Sequence, residues 1–158
     1  MTFRFATEAD VPLILQFIRD LAAYEKMLDQ VVADEALLRQ QLFERQQAEV
    51  IFALEEEEEV GFALFFHNFS TFLGRSGLYL EDLFVLPEHR GKGYGKGLLA
   101  KLASIAVERG YGRMEWSCLD WNRPSIDFYK SLGAVPMDEW TVYRLTGDTL
   151  HELAKAAE

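Results

Sequence analysis

Pro87-Glu88-His89-Arg90-Gly91-Lys92-Gly93-Tyr94-Gly95-Lys96-Gly97-Leu98-Leu99 joins a strand to a helix. Upstream, the apolar run from 78 to 86 reads as a strand that Pro87 stops. Downstream, Leu98, Leu99, Leu102, Ile105 and Ala106 recur at helical spacing. A strand-to-helix junction presents free backbone N–H groups and the positive end of the helix dipole. The glycines let the main chain approach a phosphate closely. Arg90, Lys92 and Lys96 add positive charge within a chain whose net charge is −10. Together these features describe a pyrophosphate site. Two familiar patterns do not fit it. In a Walker loop beginning at Gly91, the second glycine would fall on Lys96. A dinucleotide fingerprint beginning there lacks its last glycine, and the loop lies in mid-chain.

Working outward, strands and helices alternate. Residues 2–6 form a first strand. Thr7, with Asp10 three residues on, starts a helix whose apolar face carries Leu13, Ile14, Phe17, Ile18 and Leu21. A second helix is expected over 34–44. Strands over 50–54 and 60–66 flank Glu55 to Glu59, an acidic run expected to be a solvated hairpin turn. Residues 69–77 read as a loop. Gly110 ends the helix behind the glycine loop, and 113–119 reads as another strand. Asn122 caps the next helix, with Pro124 in its first turn and Gly133 past its end. Residues 140–145 read as a last strand, and Asp148 as the cap of a C-terminal helix. The sum is one α/β domain, 1–158, whose mixed sheet carries helices on both faces.

Composition narrows the function classes. Apolar residues make up 49% of 158, enough for one packed core. No apolar run is long enough to span a bilayer, and Met1 to Phe5 lacks the layout of a secretory signal. Cys118 is the only cysteine, which excludes an internal disulfide and a cysteine-rich metal site. These features suit the cytoplasm. His67, His89 and His151 do not cluster, so no metal is expected. The acidic charge argues against nucleic acid as a partner and favours a cationic one.

Glu81 and Asp82 stand in the middle of the apolar strand over 78–86. Side chains alternate along a strand, so the two are expected on opposite faces of the sheet. With helices on both faces, each carboxylate meets low-dielectric surroundings, which is costly without a partner.

The spacing Arg90-x-x-Gly93-x-Gly95 is similar to the pyrophosphate motif of the GNAT acetyltransferase superfamily. Asn122-Arg123-Pro124-Ser125-Ile126-Asp127-Phe128-Tyr129-Lys130-Ser131-Leu132-Gly133-Ala134 resembles the second GNAT signature. Within the superfamily, Ala23-Tyr24-Glu25-Lys26-Met27, Leu78 through Val85 and Trp121-Asn122-x-Pro124-Ser125-Ile126 resemble the diamine acetyltransferases. These include spermidine/spermine enzymes and thialysine-acetylating relatives. The loop Asn68-Phe69-Ser70-Thr71-Phe72-Leu73-Gly74-Arg75 departs from the Asp-Pro-Trp of the spermidine/spermine enzymes and is closer to the thialysine type.

The resemblance implies the GNAT fold, a mixed and mostly antiparallel sheet with helices on both faces. It implies acetyl-CoA as co-substrate and a small cationic amine as acceptor. Main-chain groups of Leu83, Phe84 and Val85 would hold the pantetheine arm and acetyl carbonyl. Arg90, Gly91, Lys92, Gly93, Tyr94, Gly95 and Lys96 would hold the pyrophosphate. Asn122, Ser125 and Tyr129 would complete the cofactor side. Tyr24, Glu25, Glu81 and Asp82 would bind the acceptor. Glu81 would take a proton from the amine, directly or through water, and Tyr129 would protonate the departing thiolate. A homodimer is implied as well, with Tyr24-Glu25 donated across it. A protein or peptide amine is the alternative acceptor. A non-catalytic acyl-CoA sensor is the alternative class.

Overall fold

The computed structural model describes residues 1–157. The chain forms two compact units, Met1–Ser117 and Cys118–Glu158.

The first unit holds β1 (Thr2–Phe5), α1 (Val11–Tyr24), α2 (Glu35–Leu38), β2 (Glu49–Glu55), β3 (Glu58–Ser70), β4 (Arg75–Val85), α3 (Tyr94–Glu108) and β5 (Met114–Trp116). The sheet order is β1-β2-β3-β4-β5. The first four strands are antiparallel neighbours, and β5 runs parallel to β4. This is the mixed, mostly antiparallel sheet expected.

Strand alternation divides the helices between the faces. Val50, Phe52, Phe62 and Phe84 join Ile14 and Phe17 of α1 in one core cluster. The Phe17 and Phe62 rings stack with centroids 5.0 Å apart. On the other face, Gly61 lies under Leu98 of α3, where a Cβ would come within 3.3 Å of the leucine methyl. Leu98 and Leu102 are fully buried.

Local signals act as read. The Thr7 backbone N–H donates to Asp10 Oδ2 at 2.7 Å, turning the chain through a 3-10 turn at Glu8–Asp10 into α1. Asp34 Oδ1 accepts from the Leu37 N–H at 2.8 Å and caps α2. That helix widens into a π-helix over Arg39–Glu44, so the second helix is not α-helical throughout.

Several expectations are corrected. Residues 69–77 are not an open loop: β3 runs to Ser70 and β4 begins at Arg75, because the two strands pair to their tips. Gly95 and Gly97 lie inside α3 rather than in the loop before it. β5 spans only three residues and pairs with Leu78, Tyr79 and Leu80, leaving the outer edge of β4 from Glu81 to Val85 beyond its reach.

The second unit contains α4 (Arg123–Ser131) and α5 (Gly147–Lys155). Asn122 Oδ1 accepts from the Ser125 N–H, Pro124 sits in the first turn, and Gly133 takes φ +90° past the end. Residues 140–145 form no strand, and Trp140, Val142 and Tyr143 are exposed. The segment finds no ladder for its N–H and C=O groups, and a strand exists only through such pairing. Thr146, not Asp148, is the N-cap residue of α5. No helix among the described residues is long and apolar enough to cross a membrane.

Candidate active site

Three features converge on the C-terminal half of β4. The first is a bulge. Leu64 lies opposite Asp82 and Phe65 opposite Leu80, so Glu81 is the extra residue on β4. A bulge twists its strand and re-aims the side chains around it. Strict alternation therefore breaks at this point. Glu81 is exposed, whereas Asp82 is half-buried.

The second feature is charge. Burial, then the charges of Glu81 and Glu25, pushes the Asp82 carboxyl up to about 6. Burial, then the charge of Glu81, raises Glu25 above the usual carboxylate range. Glu25 follows directly on α1, so the end of that helix and the bulge of β4 bring three carboxylates into one electrostatic group. None of the three forms an ion pair among the described residues. No group of acids, histidines or cysteine suited to a metal ion occurs among the described residues. The negative potential there is balanced by no ion pair among the described residues.

Tyr24, the last residue of α1, sets one wall. Its ring centroid lies 6.4 Å from that of Phe84. The Arg90 guanidinium sits over both rings, 5.2 Å from Tyr24 and 4.9 Å from Phe84. Its Nε donates to the Val85 carbonyl at 2.9 Å. Arg90 is therefore engaged with the end of β4. The charge of Glu81 acts on Glu25 within one chain.

The third feature is the start of α3. Gly93 is its N-cap at φ +88°, a left-handed conformation that glycine adopts without strain, and no side chain caps the first turn. Tyr94, Gly95 and Lys96 are that turn, so their N–H groups lie at the positive end of the dipole. Gly95 has no local reason to be glycine. It is helical, where glycine costs about 1 kcal/mol against alanine, and an added Cβ would meet nothing within 4 Å. A ligand lying close to this turn would account for it. The residues fit a pyrophosphate.

A family model described as "Acetyltransferase (GNAT) family" matches residues 15–134. The chain belongs to the GNAT acetyltransferases. This acetyltransferase is 39% identical over 163 aligned residues to a thialysine N-epsilon-acetyltransferase of Bos taurus, covering 96% of this chain and 95% of the relative. It is 34% identical to an L-ornithine N5-acetyltransferase of Arabidopsis thaliana, covering 96% and 87%. Among solved structures, an integron cassette protein of V. cholerae superposes with a TM-score of 0.80 at 31% identity, covering 98% and 97%.

Asn122, Ser125 and Tyr129 of the acetyltransferase all lie in the second unit. Asn122 and Ser125 form the cap of α4, and Tyr129 lies on that helix, its ring 5.7 Å from that of Phe128. Sequence reading missed Glu55. It was expected to be solvated, yet its carboxylate accepts from the Tyr94 hydroxyl at 3.0 Å and from Lys92 Nζ at 3.2 Å. A signal was available. The alternation that sends Val50, Phe52 and Leu54 toward α1 sends Glu55 toward α3.

Proposed function

We propose that this acetyltransferase uses acetyl-CoA to acetylate a primary amine on a small cation, a diamine or a thialysine-like amino acid. The observation that carries the reading is the group of three unpaired carboxylates, Glu25, Glu81 and Asp82, at the open half of β4. Three acids at one place suit a short cation held at several points better than a neutral or anionic acceptor. The thialysine and ornithine activities of its relatives agree with this.

An alkyl ammonium has a pKa near ~10.4 and cannot attack until it loses a proton. Asp82 and Glu25 hold the cation, and Glu81 accepts its proton directly or through a water. Acetyl-CoA supplies the thioester acetyl group that the neutral amine attacks. Main-chain N–H groups of the Leu83 to Val85 stretch stabilise negative charge developing on the carbonyl oxygen. The first turn of α3 binds the pyrophosphate, with Lys96 adding charge. Tyr129 protonates the leaving thiolate. Its support is its place in the Asn122 to Ala134 signature.

The functional unit is a homodimer. Phe69, Phe72 and Leu73, at the tip of the β3–β4 hairpin, are exposed apolar residues of the kind that association covers. Sedimentation at micromolar concentration showing only an 18 kDa species would count against it.

The deciding experiment is a screen of amines with acetyl-CoA, read by thiol release. Thialysine, ornithine, lysine, spermidine, diaminopropane and a lysine peptide are compared. Turnover of one or more of the free amines is expected. Turnover of the peptide alone would move the acceptor to proteins, and acetyl-CoA binding without turnover of any amine would point to a sensor.

A further inference from the structure

The acidic turn between β2 and β3 reaches the glycine loop through one residue. Glu55 closes β2 opposite Glu58, and the turn between them is only Glu56-Glu57, both at positive φ (49° and 71°). That is the backbone of a tight type I′ hairpin, which fixes where the strand ends. Three side chains from the segment after β4 meet the Glu55 carboxylate. The Tyr94 hydroxyl donates to Oε1 at 3.0 Å. Lys92 Nζ lies 3.2 Å from Oε1 and 3.4 Å from Oε2. His89 Nδ1 lies 2.8 Å from Oε2 without a well-angled hydrogen bond. Residues 89, 92 and 94 bracket the glycines, and each is tied to the same rigid strand end.

We propose that Glu55 is a positioning residue for the pyrophosphate loop, holding Lys92 and Tyr94 back against β2 so that the first-turn N–H groups of α3 stay presented to the phosphates. The inference rests on the acetyl-CoA reading above. Glycine-rich backbone is entropically expensive to hold in one shape, and the ligand must otherwise order it on binding. A carboxylate anchored in a sheet removes part of that cost in advance. Charge alone argues the opposite sign. An acid near a pyrophosphate repels it, so deleting the acid would tighten binding if Glu55 were only a counter-ion.

The two accounts separate by experiment. Acetyl-CoA affinity is measured directly by calorimetry, with steady-state constants for both substrates, in wild type, Glu55→Ala, Glu55→Gln and Glu58→Gln. Glu58 is exposed and carries the same charge on the other side of the turn, so its variant controls for net charge. Glu55→Ala is expected to weaken acetyl-CoA roughly tenfold, with kcat and the amine KM within about twofold of wild type. Glu55→Gln keeps an acceptor for Tyr94 and Lys92 and is expected to fall between. Unchanged or tighter acetyl-CoA binding in Glu55→Ala, or an equal effect in Glu58→Gln, overturns the proposal while leaving the acetyl-CoA reading intact. Wild-type protein that does not bind acetyl-CoA overturns both.

Discussion

Asp82 and Glu81 are neighbours in β4, yet only Asp82 has a partner across the β3 ladder. The bulge leaves one carboxylate exposed and the other half-buried, and Asp82 is pushed up to about 6. A carboxyl raised in the folded state contributes stability below its unfolded pKa, near ~3.9, and that contribution is lost as pH rises through 6. Asp82→Asn removes the cost of the charged form. The variant is expected to be more stable than wild type by about 1–3 kcal/mol above pH 7, with the gap closing toward pH 4. Thermal unfolding across that range checks it; a gap independent of pH would count against a raised Asp82. Activity should fall even as stability rises, because the amine loses a charge that holds it.

Glu81→Gln keeps size and hydrogen bonding but removes charge and basicity. Turnover is expected to fall by about 10²-fold or more and the amine KM to rise, while acetyl-CoA affinity holds. Wild-type turnover across the pH range in this variant would remove Glu81 from proton transfer.

Gly95 tests the ligand site from the side of stability. Alanine there is helical and meets no protein atom within 4 Å. Gly95→Ala should therefore stabilise the free protein by up to about 1 kcal/mol. It should also weaken acetyl-CoA, because the new methyl stands where the ligand approaches. Unfolding and binding measured on the same preparation give both signs. A variant that is more stable and binds acetyl-CoA as tightly as wild type would displace the pyrophosphate from this turn.

Tyr129→Phe removes one hydroxyl. Turnover is expected to drop by about 10²–10⁴-fold where chemistry limits the rate, with acetyl-CoA affinity nearly unchanged. Full turnover under single-turnover conditions would take Tyr129 out of the mechanism.

Arg4 and Asp10 contribute to the acid sensitivity of the fold. Arg4 Nη1 bonds Asp10 Oδ2 at 2.8 Å, and this hydrogen bond is the main reason the carboxyl is lowered to about 2. A lowered carboxyl stabilises above its unfolded pKa, so this contribution is lost as pH falls from about 4 to 2. Arg4 is one-third exposed, and water screens part of the effect. Asp10→Asn should cost about 1 kcal/mol at neutral pH and leave stability flatter between pH 4 and 2. Acid titration of both proteins by circular dichroism is the check.

What the sequence made legible was local. The Thr7–Asp10 turn and the Asn122 cap each involve residues within four of one another, and each is formed. The reach of the β3–β4 hairpin through residues 69–77 depends on cross-strand pairing, which local composition does not reveal. The bulge at Glu81 is invisible for the same reason, since it exists only as a mismatch of register. The acidic run looked uniform, although the alternation running from Val50 through Leu54 already set Glu55, which meets the loop, apart from Glu56 and Glu57, which turn the chain. Residues 140–145 have the aromatic and β-branched composition of a strand, but composition names a candidate and not its partner.

The short β5 has a consequence for handling the protein. From Glu81 onward the outer rim of β4 is a row of backbone donors and acceptors that no strand of the sheet completes. Such a rim accepts any extended chain that lies along it, including one from another molecule. The amide-bearing arm of acetyl-CoA, the co-substrate proposed above, is a chain of that kind. Glu81 and Asp82 guard the rim with like charge, and Arg90 closes its end by taking the Val85 carbonyl. At low pH, with Asp82 neutral, that guard is halved. Ligand-free stocks should therefore cloud first in mild acid, and added coenzyme should keep them clear.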